Sequence, residues 1–172
     1  KRFYTWTLQS HIDLARAVWL DYCECKMIDT IAREPLWRHL INYRCGTGHS
    51  VSFVGNVHEG PHALNSRNTT RMRPGMVVTD EPGVYETDLV GIRIENELVC
   101  IHKADNQYGT FLGFEPLTFV PISTSPILPG VLDKDELAWL NDYHRQVFAK
   151  LAPHLNAEER VWLAEKCASI GC

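Results

Sequence analysis

No apolar run in this chain approaches the roughly 18–20 residues that a membrane span needs. The opening KRFYTWTLQSHID also lacks the apolar centre of a secretory signal. These two absences point away from a membrane protein and from an exported one. Charge of one sign is scarce too. The net charge is −4 over 172 residues, of the wrong sign for a nucleic-acid partner. Paired cysteines are missing as well. The six present (Cys23, Cys25, Cys45, Cys100, Cys167 and Cys172) are spaced neither as paired CxxC zinc sites nor as a disulfide framework. With no secretion signal they are read as reduced thiols and the protein as cytoplasmic. Asn68-Thr69-Thr70 therefore carries no weight as a glycosylation sequon. There are no internal repeats and no low-complexity segments.

What remains is an ordinary globular composition, 45% hydrophobic and 22% charged, sufficient for a sizeable core. Residues 5–20 carry Leu8, Ile12, Ala15 and Trp19 at helical spacing, which predicts an amphipathic helix. A turn around Asp21–Lys26 leads to a second helix over Met27–Arg33, ending near Pro35. From 49 to 120, short apolar runs alternate with Gly, Pro and Asn, the pattern of an antiparallel sheet. GTFLGFEPLTFVPI (109–122) reads as a strand pair. Asn56 to Arg73 is a long polar connection, of the kind that is usually functional or mobile. PISTSPILPG (121–130) reads as a strap or linker. Asp133 with Glu136, and Asn156 with Glu159, resemble capping boxes opening helices over 133–152 and 156–168. The expected class is α+β, with helices on one side of a curved, mostly antiparallel sheet.

Between Cys45 and Glu97 lies CGTGHSVSFVGNVHEGP, then PGMVVTDEPGVYETDLVGIRIENE. His49, Glu81 and Glu95 stand in or beside expected strands VSFV, MVVTD and GIRIENELVCI. Side chains on strands are held firmly enough for metal ligation. One imidazole with carboxylates is a hard donor set, suited to Mn or Zn rather than to copper or an iron–sulfur cluster.

At these residues the chain resembles the Xaa-Pro aminopeptidases (aminopeptidase P) of the pita-bread metallopeptidase superfamily. GTGHSVSFVGNVHEGP, TDEPGVY and GIRIENE are similar to that family's motifs, in the family's order, with a fourteen-residue step from Glu81 to Glu95. The resemblance divides the chain into the C-terminal portion of a pita-bread catalytic domain (1–120) and the C-terminal helical extension of the longer aminopeptidases P (121–172). It implies that His49 and Glu81 are terminal ligands of one metal and that Glu95 bridges two. Glu81 and His58 would handle protons and substrate, while Tyr85 and Arg93 would brace the metal carboxylates. The implied cofactors are two divalent ions, Mn first, with Zn or Co as alternatives. The implied reaction removes the N-terminal residue from peptides with proline in second position, in a homodimer with no nucleic acid and no membrane among its partners.

The sequence departs from that pattern in places. The family's other two ligands are aspartates, and Asp13 and Asp21, on or after the first helix, do not substitute for them. The chain is therefore read as a C-terminal piece of a longer enzyme, weak in metal binding and inactive by itself. The alternative is a non-catalytic pita-bread-like module for dimerisation or peptide binding. Cys45 stands where the family has a histidine lining the substrate pocket, and Ser50 and Ser52 replace glycines. The sheet core is expected on Val51, Phe53, Val77, Val78, Ile92 and Ile94. Trp139, Tyr143 and Trp162 are expected to supply a dimer face on the C-terminal helices.

Overall fold

A computed structural model describes residues 1–171. Its order is α1 (Arg2–Ala15), β1 (Val18–Leu20), α2 (Cys25–Trp37), β2 (Gly48–His49), β3 (Ala63–Leu64), β4 (Val77–Asp80), β5 (Gly83–Glu86), β6 (Val90–Arg93), β7 (Asn96–Asn106), β8 (Gly109–Pro116), α3 (Lys134–Leu151) and α4 (Ala157–Lys166), with a short 3-10 turn between the last two. The principal sheet runs β1-β8-β7-β4, and β2-β3 and β5-β6 form two small ladders. Every strand pair among the described residues is antiparallel.

The expected helix over 5–20 is divided. α1 stops at Ala15, and Val18–Leu20 turns back to pair with Phe111–Gly113 of β8. β-branched and aromatic residues pack well on a pleated surface, and Trp19 gains Phe114 as a neighbour, ring centroids 4.6 Å apart. α2 continues past the expected stop, with Pro35 inside its last turns. Ile28, Ala32 and Leu36, one face at four-residue spacing, are all buried and hold that final turn down.

Three expected strand readings are corrected. VSFV is not one: β2 ends at His49, and the following loop leaves Phe53, Val54 and Val57 exposed, so Phe53 is no part of the core. Val78 is in the core under the sheet as expected, with Leu64, Met72, Leu98, Cys100, Leu112 and Phe114, and Ile94 is buried in a second core, while Val51, Val77 and Ile92 are only half-buried. GIRIENELVCI is two strands, with Glu95 in the break between β6 and β7. Likewise 109–122 supplies the single strand β8, after which the chain runs irregularly to α3.

α3 opens with a complete capping box, Asp133 accepting from the Asp135 and Glu136 N–H groups while Glu136 accepts from the Asp133 N–H. The Asn156–Glu159 box opens α4 in the same way. A second core joins α1 to these helices, with Leu8, Ile12 and Ile94 packed among Leu140, Tyr143, Val147 and Leu163. Tyr143 is buried there and stacks on half-buried Trp139 at 5.3 Å, so neither is part of an open patch. Of the aromatics expected on a dimer face, Trp162 is exposed, next to Val161. Cys23, Cys25, Cys45, Cys100 and Cys167 are free thiols, and Cys172 lies outside the described residues. Among the described residues no helix is long and apolar enough to cross a membrane.

Candidate active site

A glycine decides how closely β2 approaches the sheet. A Cβ at Gly48 would lie 1.7 Å from the Thr79 carbonyl oxygen. Only a residue without a side chain lets Gly48–His49 lie against β4. The approach is tied by the Glu81 N–H donating to the Thr47 carbonyl at 2.7 Å and by the His49 N–H donating to Thr79 Oγ1 at 2.9 Å. The same hydroxyl donates to Glu81 Oε1 at 2.8 Å. Thr79 therefore sets the imidazole-bearing backbone and the carboxylate with one oxygen. Sequence reasoning passed over it, although it precedes Asp80-Glu81 directly.

His49 Nε2 comes to 3.0 Å from Glu81 Oε1. Its Nδ1–H faces the Ser50 carbonyl at 3.0 Å, which leaves Nε2 with a lone pair. A lone pair and a carboxylate oxygen at that separation need a shared proton or a cation between them. A carbonyl behind the distal ring nitrogen is also the usual arrangement of a metal-binding histidine. His58 stands edge-on to His49, ring centroids 3.9 Å apart.

Arg93, on β6, holds the other side of Glu81. Its guanidinium donates to Glu81 Oε2 at 2.8 Å and also to the Glu81 carbonyl, while its Nε donates to the Tyr85 hydroxyl at 2.9 Å. Burial alone would lower the Arg93 pKa, but Tyr85, Cys45 and Glu81 together carry it above the ordinary value. The strand pairing of β5 with β6 puts Gly83 opposite Arg93. A Cβ there would meet Arg93 Nε at 2.8 Å, so Gly83 leaves room for the guanidinium.

His49, His58, Glu81, Arg93, Cys45 and Asn65 face one cavity of about 320 Å³. Glu95 is exposed at the β6–β7 junction and does not line it. Its charge nevertheless bears on Asp80, as does that of Glu81. Tyr85 is half exposed and reaches the site through Arg93. Among the described residues no three His, Cys, Asp or Glu side chains gather closely enough to hold a cation. His49 and Glu81 thus fit two corners of a divalent site, while the described residues do not close it.

A buried cluster supports the loop that leads into the site. Arg33 donates to Asp29 at 2.7 Å, to the Tyr43 carbonyl at 2.9 Å and to the Cys45 carbonyl at 2.9 Å. Asp29 in turn accepts from the Thr47 hydroxyl, which also meets the Tyr43 hydroxyl. Burial pushes the Tyr43 phenol well above its usual pKa. The i, i+4 spacing of Asp29 and Arg33 on α2 was the available signal for this pair.

Comparison with known proteins gives a consistent picture. The pattern of "Metallopeptidase family M24" matches residues 1–102, and that of the "C-terminal region of peptidase_M24" matches residues 110–170. The chain is 40% identical over 177 residues to aminopeptidase P1 of Lotus japonicus, covering 99% of this chain and 27% of that protein. It is 42% identical over 170 residues to aminopeptidase P2 of Arabidopsis thaliana, covering 95% of this chain and 24% of that protein. The chain thus spans about a quarter of the length of these curated relatives. Among solved structures, X-prolyl aminopeptidase from Caenorhabditis elegans, described as a cytosolic enzyme with a di-nuclear active site, matches with a TM-score of 0.91 at 38% identity, over 97% of this chain and 28% of that one. Prolidase from Pyrococcus furiosus matches with a TM-score of 0.58 at 26% identity, over 69% of this chain and 32% of that one.

Proposed function

This chain belongs to metallopeptidase family M24, with the α+β pita-bread fold, and from that premise we propose that its cavity forms part of the catalytic centre of a Xaa-Pro aminopeptidase. The substrate is a peptide with proline in second position, and the product is its released N-terminal residue. The observation that carries the reading is the 3.0 Å contact of His49 Nε2 with Glu81 Oε1, its two acceptors facing each other on a cavity wall. His49 and Glu81 would hold one metal, and Glu95, exposed at the β6–β7 break outside that lining, would be the carboxylate shared with a second. Mn is the expected ion. The working enzyme is a cytoplasmic homodimer.

When bound, two divalent cations supply a lowered water pKa and a polarised scissile carbonyl. The protein's own groups prepare that chemistry. The Ser50 carbonyl fixes the His49 tautomer, so that Nε2 presents its lone pair. Thr79 and Arg93 hold the two oxygens of Glu81 separately, which sets the carboxylate plane. His58, beside His49 and on the same wall, is placed to pass a proton to or from a group in the cavity. Cys45 closes the wall near Gly83, its thiol 3.8 Å from that carbonyl, and contributes to the shape of the substrate pocket.

In a protein of the relatives' full length, Glu81→Ala is expected to lower hydrolysis of a Xaa-Pro peptide by at least about a hundredfold, since more is lost than a supporting contact. Turnover near the parent's in Mn-replete buffer would refute the assignment. A second reading, a non-catalytic module for dimerisation or peptide binding, draws on the lack of any three-donor group among the described residues. Calorimetric titration of the 172-residue chain with Mn, followed by a peptide assay, bears on both. Weak binding without turnover is expected of this chain under either reading, so the full-length variant separates them.

A further inference from the structure

Behind the strand ends that carry Glu81 and Glu95 lies a row of buried polar side chains that the proposed chemistry does not use. Asp80 and Asn96 face each other across the β4–β7 ladder. Each directly adjoins an assigned ligand, Asp80 before Glu81 and Asn96 after Glu95. Both are buried, and so are His11 of α1 and Tyr143 of α3. His11 stands between the two strands. Asn96 Nδ2 lies 3.3 Å from His11 Nε2, so Nε2 is the acceptor and the ring proton belongs on Nδ1. That nitrogen lies 3.1 Å from Asp80 Oδ2, off the ideal hydrogen-bond line. Asn96 Oδ1 accepts in turn from the Tyr143 hydroxyl at 3.2 Å. The same hydroxyl reaches the Thr118 and Val120 carbonyls, each at 3.1 Å, and accepts the Val120 N–H at 3.2 Å. Donors run from Asn96 to His11 and from His11 towards Asp80, while the single Tyr143 proton is shared among Asn96 Oδ1 and the Thr118 and Val120 carbonyls.

We propose that His11 is a positioning residue for Glu81 and Glu95, bracing β4 and β7 from inside at the point where both carboxylates leave the sheet. Tyr143 completes the brace from α3. The C-terminal helices then take part in setting the metal-facing carboxylates, besides packing on the domain. This rests on the reading of Glu81 and Glu95 as ligands. Geometry supports it in three ways. The contacts link residues 85 and 47 positions apart, from His11 to Asn96 and from Asn96 to Tyr143, so they report tertiary placement and not local sequence. Asp80 and Asn96 are register partners, so one imidazole acts on both strands at once. Trp139 closes the pocket edge-on to the His11 ring at 6.1 Å, leaving the imidazole little freedom to rotate.

The test uses the 172-residue chain and Tyr143→Phe, which removes one hydroxyl and keeps the ring that packs in the core. His11→Phe and His11→Gln accompany it, Gln keeping polar atoms near Asp80 and Asn96. Two quantities are read. Amide hydrogen exchange is followed at residues 80–81 and 95–97. Mn titration is followed by paramagnetic broadening of the His49 ring signals, which reports weak binding as well as tight. In a folded Tyr143→Phe chain, exchange in both segments should quicken by about two- to tenfold, the equivalent of one net hydrogen bond. The apparent Mn affinity should fall by about 10- to 100-fold, as for other groups that orient ligands. His11→Gln should retain more affinity than His11→Phe. Unchanged exchange at both segments would overturn the brace. So would quickened exchange with Mn affinity intact, because the row would then be structural only. A parent chain in which Mn leaves the His49 signals untouched would contradict the weak binding expected of it and overturn the proposal, and that result comes from the parent alone.

Discussion

Gly48 shows how one missing side chain controls the site. Thr79 can serve both His49 and Glu81 only because β2 lies against β4 with no Cβ between them. Gly48→Ala would drive a methyl group into the Thr79 carbonyl, and relief requires a shift of backbone, not of a flexible side chain. A loss of about 1–3 kcal/mol is expected, typical of overpacking, measured as a lower urea midpoint. The β2-to-β4 hydrogen bonds should open with it, so the His49 amide should lose exchange protection. A variant with parental stability and protection would mean that β2 can stand further from the sheet than the structure places it. His49, Glu81, His58, Cys45 and Arg93 were candidates on sequence grounds and share one cavity. Glu95 had the same motif support but stands outside that lining, and its assigned bridging role remains a proposal.

At the scale of elements, local signals worked where structure is local. Both capping boxes were legible because four consecutive residues suffice to make one. Asp133→Ala removes the acceptor for two N–H groups at the start of α3. It should cost about 1 kcal/mol, seen as a shift of the urea midpoint with an unchanged denaturant slope. A change in slope would mean that α3 no longer unfolds together with the rest. Periodicity misled where a partner strand competed. Val18–Leu20 continues a helical pattern, yet β8 offers an unpaired edge and Phe114 for Trp19 to pack on. VSFV has strand composition, but its backbone has no ladder to join, and Phe53 ends in solvent.

For the whole molecule, the core shared by α1, α3 and α4 couples stability to pH through His144. The Ile122 N–H donates to its Nε2 at 3.1 Å, which requires that nitrogen to be unprotonated, and Nδ1 is buried without a partner. Burial lowers the His144 pKa below the ordinary 6.5. Above 6.5 the ring is neutral in both folded and unfolded chains, and its contribution is complete. As pH falls below that value, the unfolded chain binds a proton that the folded chain resists, so stability declines until pH passes the folded pKa. Asp80 acts oppositely in an overlapping range. Burial raises it from 3.8 to about 6, so the folded chain takes up its proton first on acidification and gains stability between those values. The parent's net slope is a difference of the two, and the informative comparison is His144→Gln with the parent. The variant should lose less stability between about pH 7 and about pH 5, on either side of the ordinary imidazole value. Equal losses would show that His144 is protonated as readily in the fold as outside it.

The order of residues by itself determined the α+β class, the helix starts and a short set of metal-ligand candidates. Each depends on periodicity, capping or motif spacing within a few dozen residues, and that information is local. The tertiary structure decided the rest. It brought the Thr79 hydroxyl between His49 and Glu81, tied the Cys45 loop to Arg33, left Glu95 at a strand break, and packed Trp139 and Tyr143 inward. It also lined up Tyr143, Asn96, His11 and Asp80 across four elements. A hydrogen bond needs its atoms within about 3 Å, and for groups far apart in sequence that separation is set by how the helices and sheet pack. No pattern along the chain encodes it directly.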